Sequence, residues 1–158
     1  MAEFAYNPIQ LVEPNQNVIL DTVIPCNKGY VFHRDQSGIV ILRGIVNCPQ
    51  ACFARYQVTF NGNIALPDGA EVGPISVALA IDGEPVQTSR AIVTPAATAD
   101  DPPTANNFFN VTSTAIISVP RGCCFTVAVE NTSGPLEAGG VAPQILVQNA
   151  NMTVARIS

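Results

Sequence analysis

Apolar and polar residues alternate in short runs from Val18 to Ile157. ARYQVTF (54–60) puts Tyr56, Val58 and Phe60 in one phase and Arg55, Gln57 and Thr59 in the other. ISVALAI (75–81) sets Ile75, Val77, Leu79 and Ile81 against Ser76, Ala78 and Ala80, and FTVAV (125–129) and MTVARI (152–157) repeat the pattern. A period of two sends successive side chains to opposite faces of a strand, so each run offers one face to a core. Between the runs stand Asn61-Gly62, Pro67-Asp68-Gly69, Asp82-Gly83 and Pro120-Arg121-Gly122, residue types that supply positive φ or a preset bend. The spacing predicts an all-β, antiparallel, two-sheet sandwich of about eight to ten strands. Its core residues are Tyr56, Val58, Phe60, Val77, Leu79, Ile81, Phe125, Val127 and Val129. No stretch sustains helical periodicity.

Residues 1–17 do not fit this rhythm. Pro8 and Pro14 interrupt them, and they are too few to build a core, so they read as an N-terminal arm ahead of a single domain spanning 18–158. Ordering such an arm requires a receiving surface to offset the lost chain entropy. Phe4, Tyr6, Ile9 and Leu11 are therefore the expected attachment residues; the alternative is that the arm folds back as an edge strand of its own trimer. Glu3 and the lack of a basic, then apolar, opening do not match a Sec signal peptide. The first strand is expected near Val18–Ile24, followed by a turn at Cys26-Asn27-Lys28-Gly29. Residues 95–107, rich in Pro, Ala, Thr and Asp, and the Gly-rich stretch 133–143 read as exposed loops.

Composition narrows the partners. Charged residues make up 12% of the chain, where about 25% is ordinary, while hydrophobic residues reach 47%. Six arginines and one lysine against twelve acids leave a net charge of −5, which argues against nucleic acid. No apolar run approaches the roughly 20 residues that span a bilayer. Charge depletion is instead characteristic of surfaces covered by other subunits. The small-residue faces at Ser76, Ala78, Ala80, Thr126 and Ala128 are the expected oligomer interface.

Candidate chemistry is sparse. A nucleophilic enzyme needs a base beside its nucleophile, and His33 is the only histidine. The five cysteines, Cys26, Cys48, Cys52, Cys123 and Cys124, lack the second CxxC or His pair of a zinc site. They read as buried small apolar residues, with a disulfide at the Cys48/Cys52 loop as the alternative. Asp100-Asp101 with Thr98 and Thr104 is a conceivable calcium loop without any supporting repeat. Asn110, Asn131 and Asn151 fit the glycosylation sequon but suit turns and strands equally well. The expectation is a non-enzymatic protein with no catalytic, cofactor or metal site.

Several strings carry a family resemblance. VALAIDGEPV (77–86), VPRGCCFTVAVENTS (119–133) and NANMTVARIS (149–158) resemble the strands and corners of the tumour-necrosis-factor and complement-head jelly-roll superfamily. Its bacterial and phage branch, including exosporium-type C-terminal heads and small prophage-associated proteins, is the nearer comparison. The resemblance implies a jelly roll with threefold assembly. It also implies a structural role in decorating a larger particle, such as a phage capsid, with localisation to the virion. A carbohydrate- or receptor-binding head on a virion, cell or spore surface is the alternative.

Overall fold

The computed structural model describes residues 1–24, 29–96 and 107–158. Cys26, Asn27 and Lys28 of the expected turn, and Thr98, Asp100, Asp101 and Thr104 of the expected loop, lie outside the described residues. The strands are β1 (Ala2–Tyr6), β2 (Gln10–Val12), β3 (Thr22–Ile24), β4 (Val31–His33), β5 (Val40–Arg43), β6 (Phe53–Ala65), β7 (Ile75–Ile81), β8 (Glu84–Pro85), β9 (Ala91–Val93), β10 (Phe109–Pro120), β11 (Cys124–Asn131) and β12 (Ile145–Arg156). A single 3₁₀ turn, Gln87–Ser89, separates β8 from β9. One sheet runs β10-β6-β12-β1-β3, with β2 also paired to β12; the second runs β4-β5-β11-β7-β8, with β9 also on β7. This is a jelly-roll sandwich in which every strand pair is antiparallel.

The core forms where the apolar phases of the two sheets meet. Tyr56, Val58 and Phe60 from β6 and Met152 and Val154 from β12 face Val40, Leu42, Val77, Leu79, Val127 and Val129 from the second sheet. Ile81 and Phe125 pack against this cluster while staying partly exposed. Tyr56 brings a hydroxyl into the interior and donates it to the Arg43 carbonyl at 2.6 Å, which satisfies the buried polar atom. The Asp82-Gly83 turn behaves as its sequence dictates. Both residues hold positive φ, 51° and 84°, the primed geometry that suits a tight hairpin between β7 and β8. Asp82 also accepts hydrogen bonds from the Thr126 amide at 2.8 Å and hydroxyl at 3.0 Å, tying the turn to β11.

Two expectations are corrected. Asn61-Gly62 is not a turn: β6 runs unbroken through it, with Val111 opposite Gly62 and Asn151 opposite Asn61. Strands on both sides supply hydrogen-bond partners there, so continuing the ladder outweighs a local turn preference. Gly62 serves by its missing side chain, since a Cβ would lie 2.8 Å from the Phe60 ring.

The second correction concerns the arm. Residues 2–6 are β1, inserted between β12 and β3 with Phe4 opposite Met152 and Val23. Residues 10–12 extend the pairing along β12. Phe4 is only 2% exposed and stacks on His33 across the sandwich, ring centroids 5.2 Å apart. The arm is therefore part of the core-forming sheet. Its sequence hid this because Pro8 and Pro14 break the alternation into pieces too short to read as strands.

Phe4→Ala is expected to lower unfolding stability by about 3–5 kcal/mol, the range for truncating a buried aromatic. Ile9→Ala, at a position 53% exposed, should change it by no more than about 0.5 kcal/mol. Urea unfolding of both variants measures the difference; equal small effects would return residues 2–6 to the status of a loose arm.

Candidate functional site

The expected attachment residues separate by strand phase. Phe4 is buried and Tyr6 half-buried on the same inward phase of β1, whereas Ile9 and Leu11 remain about half exposed. Ser76, Ala78 and Ala80, expected at an oligomer interface, are each 1% exposed in the single chain, so they offer little surface to a partner. Ala128 is buried too, and Thr126 is half-buried and occupied by Asp82. The chain covers this face itself. Arg90 donates from Nε to Ser76 Oγ at 3.0 Å and from Nη2 to the Thr132 carbonyl at 2.9 Å. Ala78 lies in a depression of about 200 Å³ bounded by Asn15, Pro85, Gln87, Arg90 and Thr132.

The surface that does stand open is the outer face of the first sheet. The strand registers put Thr114, Thr59, Thr153 and Glu3 in one row across β10, β6, β12 and β1, and Thr112, Asn61, Asn151 and Ala5 in the next. Gln57, Ile116 and Ala155 make a third row. Glu3 and Arg55 are the only charged side chains that these strands turn outward. The polar groups bond to one another. Asn61 Nδ2 donates to Thr112 Oγ1 at 2.8 Å, Asn110 Nδ2 donates to Asn63 Oδ1 at 3.1 Å, and Thr114 Oγ1 donates to Thr59 Oγ1 at 3.2 Å. Asn151 Nδ2 hydrogen-bonds Glu3 Oε1. Apolar side chains flank this centre, with Ile116 66% and Phe53 49% exposed towards one end and Leu11 exposed towards the other. Sequence reasoning missed this face because it looked for small apolar residues; the available signal was an outward phase that is polar but almost uncharged.

The isolated chemical groups are structural or unassigned. His33 is buried, and its Nε2 donates to the Ser37 carbonyl at 2.9 Å, while Nδ1 has no hydrogen-bond partner among the described residues. Cys48, Cys52, Cys123 and Cys124 are all free and exposed, contrary to the expectation of buried thiols. They lie at one end of the sandwich because the loop 47–52 is bonded to the β10–β11 turn: the Arg121 amide donates to the Cys52 carbonyl at 2.8 Å and Arg121 Nη1 to the Pro49 carbonyl at 2.9 Å. No group of three metal-ligating side chains gathers among the described residues. Glu130 differs from the other acids. It is buried at the end of β11, and burial, followed by repulsion from Glu84, pushes its carboxyl above the usual carboxylate range.

Comparison with known proteins agrees with this architecture. No known protein family and no curated protein matches the sequence. Among solved structures, the Eiger TNF from S. frugiperda aligns over 100% of this chain and 92% of its own at 11% identity, with a TM-score of 0.58. The globular domain of the zebrafish complement 1qA protein aligns over 96% of this chain and 94% of its own at 11% identity, with a TM-score of 0.50. These likenesses establish the jelly-roll fold of the tumour-necrosis-factor and complement heads. At that identity they extend to nothing beyond the fold.

Glu130→Gln is expected to stabilise the protein at neutral pH. The native carboxyl holds its proton to a higher pH than the unfolded chain does, so native stability falls as pH rises through the raised pKa. The amide removes that loss, and its advantage should fade as the pH falls below the ordinary carboxyl value of 4.5. Urea midpoints compared at about pH 4 and about pH 8 test the sign; a variant less stable at the higher pH would contradict it.

Proposed function

We propose that this protein is a non-enzymatic display head that assembles as a homotrimer through the outer face of its first sheet. The observation that carries the reading is the nearly uncharged surface around Thr59, Thr153 and Thr114, with exposed Ile116 and Phe53 at its margin. Charge-poor centres with apolar contacts suit protein interfaces, because desolvating a charge costs far more than desolvating a hydroxyl that keeps its hydrogen bond. The resemblance to a superfamily of threefold heads supports a closed trimer over an open chain. In this reading the trimers decorate a larger particle, a phage or prophage virion. Ile9 and Leu11, the exposed members of the four expected attachment residues, remain the candidate docking contacts.

Sedimentation at micromolar concentration should give a species near three times 16.6 kDa. Thr59→Arg places an unpaired charge at the centre of the face and should yield monomers that keep the wild-type circular dichroism spectrum. A wild type sedimenting only near 16.6 kDa would overturn the assembly. Replacing Ile9 with serine should leave the trimer intact and weaken its cosedimentation with the particle; unchanged cosedimentation would dismiss it as a docking contact.

A further inference from the structure

At one end of the sandwich, the loop before β7, the loop before β12 and the segment after β2 border an open cavity of about 330 Å³. Its walls are apolar, built from Ala70, Pro74, Leu136, Val141 and Pro143. Prolines fix the local backbone, so these walls are formed before any ligand arrives. Leu136 is seated by Gly73: a Cβ at that glycine would come within 2.1 Å of Leu136 Cδ2. Val141 stands at the cavity 92% exposed, an apolar side chain with almost no cover from its own chain. Two carboxylates, Glu13 and Glu71, complete the lining, and no lysine, arginine or histidine joins them. Glu13 accepts a hydrogen bond from Gln144 Nε2, while Glu71 has no hydrogen bond or ion pair among the described residues.

We propose that this cavity binds a small organic cation, an ammonium group carried on an apolar stem. The volume lies at the lower end of the range for small-molecule sites, about 300–1,000 Å³. Glu13 and Glu71 are exposed at the rim, and their negative charge beside apolar walls favours a positive head over a neutral or anionic one. An anion meets the wrong charge, and the lining has no aromatic platform on which a sugar ring could lie. A metal ion would find only two protein carboxylates, short of the six to eight oxygens that calcium takes. Either a free amine or a lysine side chain of a partner presents the required chemistry. The proposal is independent of the trimer, since the lining comes from one chain.

The test is a titration followed by amide chemical shifts, with 2-phenylethylammonium as the probe. The neutral 2-phenylethanol and the anionic 3-phenylpropanoate serve as shape controls, and an acetylated, amidated lysine distinguishes the side-chain source from the free amine. Saturable shifts confined to the amides near Ala70, Glu71, Gly73 and Val141 are expected for a cation and for neither control. Glu71→Gln should weaken binding about tenfold, the usual scale for losing one charge-assisted contact. Val141→Lys, at an exposed position that leaves folding untouched, supplies an internal ammonium and should abolish binding. Equal affinity for amine and alcohol, unchanged binding by Glu71→Gln, or no response to either ammonium probe would overturn the proposal, whatever the oligomeric state.

Discussion

Five hydrogen bonds converge on Asn131, a residue with no exposed surface at the end of β11. Its amide donates to the Gln16 carbonyl at 3.0 Å, and its carbonyl accepts from the Asn15 amide at 2.9 Å. Its side chain donates to the Val12 carbonyl at 3.0 Å and the Pro143 carbonyl at 3.1 Å, and accepts from the Ser133 amide at 3.0 Å. The segments it meets leave regular strands at this point, and each buried peptide group left unpaired would cost about 1–3 kcal/mol. Aspartate has the acceptors but no donor, and glutamine carries the amide one methylene further out. The walls of the cavity follow from this arrangement. Glu13 and Pro14 leave β2 just past the bond to Val12, while Pro143 is held directly.

The same residue shows where a one-dimensional reading stops. Asn131 sits in ENTSG, which by composition is a surface turn, yet its side chain joins segments 119 and 12 residues away. A polar residue buried by distant contacts leaves no periodic trace. The arm failed for a related reason: β1 and β2 are five and three residues long, and their alternation is visible only beside the partner strand β12. Long strands were legible because local propensity and tertiary pairing agree in them. ISVALAI appears as β7 with the expected bounds, and Val77, Leu79, Val127 and Val129 reach the core as the alternation required. Asn61-Gly62 marks the opposite case, in which a strong turn dipeptide is overruled by strands on both sides.

The four exposed thiols depart from the ordinary placement of cysteine, which is among the most buried residue types. Their position follows from backbone bonding at the end of the sandwich: the Gly44 amide meets the Cys123 carbonyl at 2.7 Å, and Arg121 joins Cys52 to the next turn. Four of the six arginines lie at the same end. Arg43 is in register with Cys124, the Arg55 backbone amide and Arg156 Nε both donate to the Ser158 carbonyl, and Arg121 Nη1 donates to the Pro49 carbonyl. The cavity end carries Glu13 and Glu71 instead.

The outer face of the first sheet, open in the single chain and covered in the proposed trimer, must satisfy two conditions. It has to keep the single chain soluble, and it must lose its water without a large penalty. A leucine-rich face would satisfy only the second, because a large exposed apolar patch invites nonspecific association. A charged face satisfies only the first, because each ion must find a partner when covered. The Thr and Asn rows of the first sheet meet both conditions. Their hydroxyls and amides bind water in the isolated chain, yet Asn61, Asn110, Thr112, Thr114 and Thr59 already hold hydrogen bonds among themselves that persist when water leaves. In the proposed trimer the energetic gain on covering the face would fall mainly to Ile116 and Phe53 at its margin, which are 66% and 49% exposed. On that proposal the polar rows would set the geometry of approach, and the apolar margin would supply the attraction.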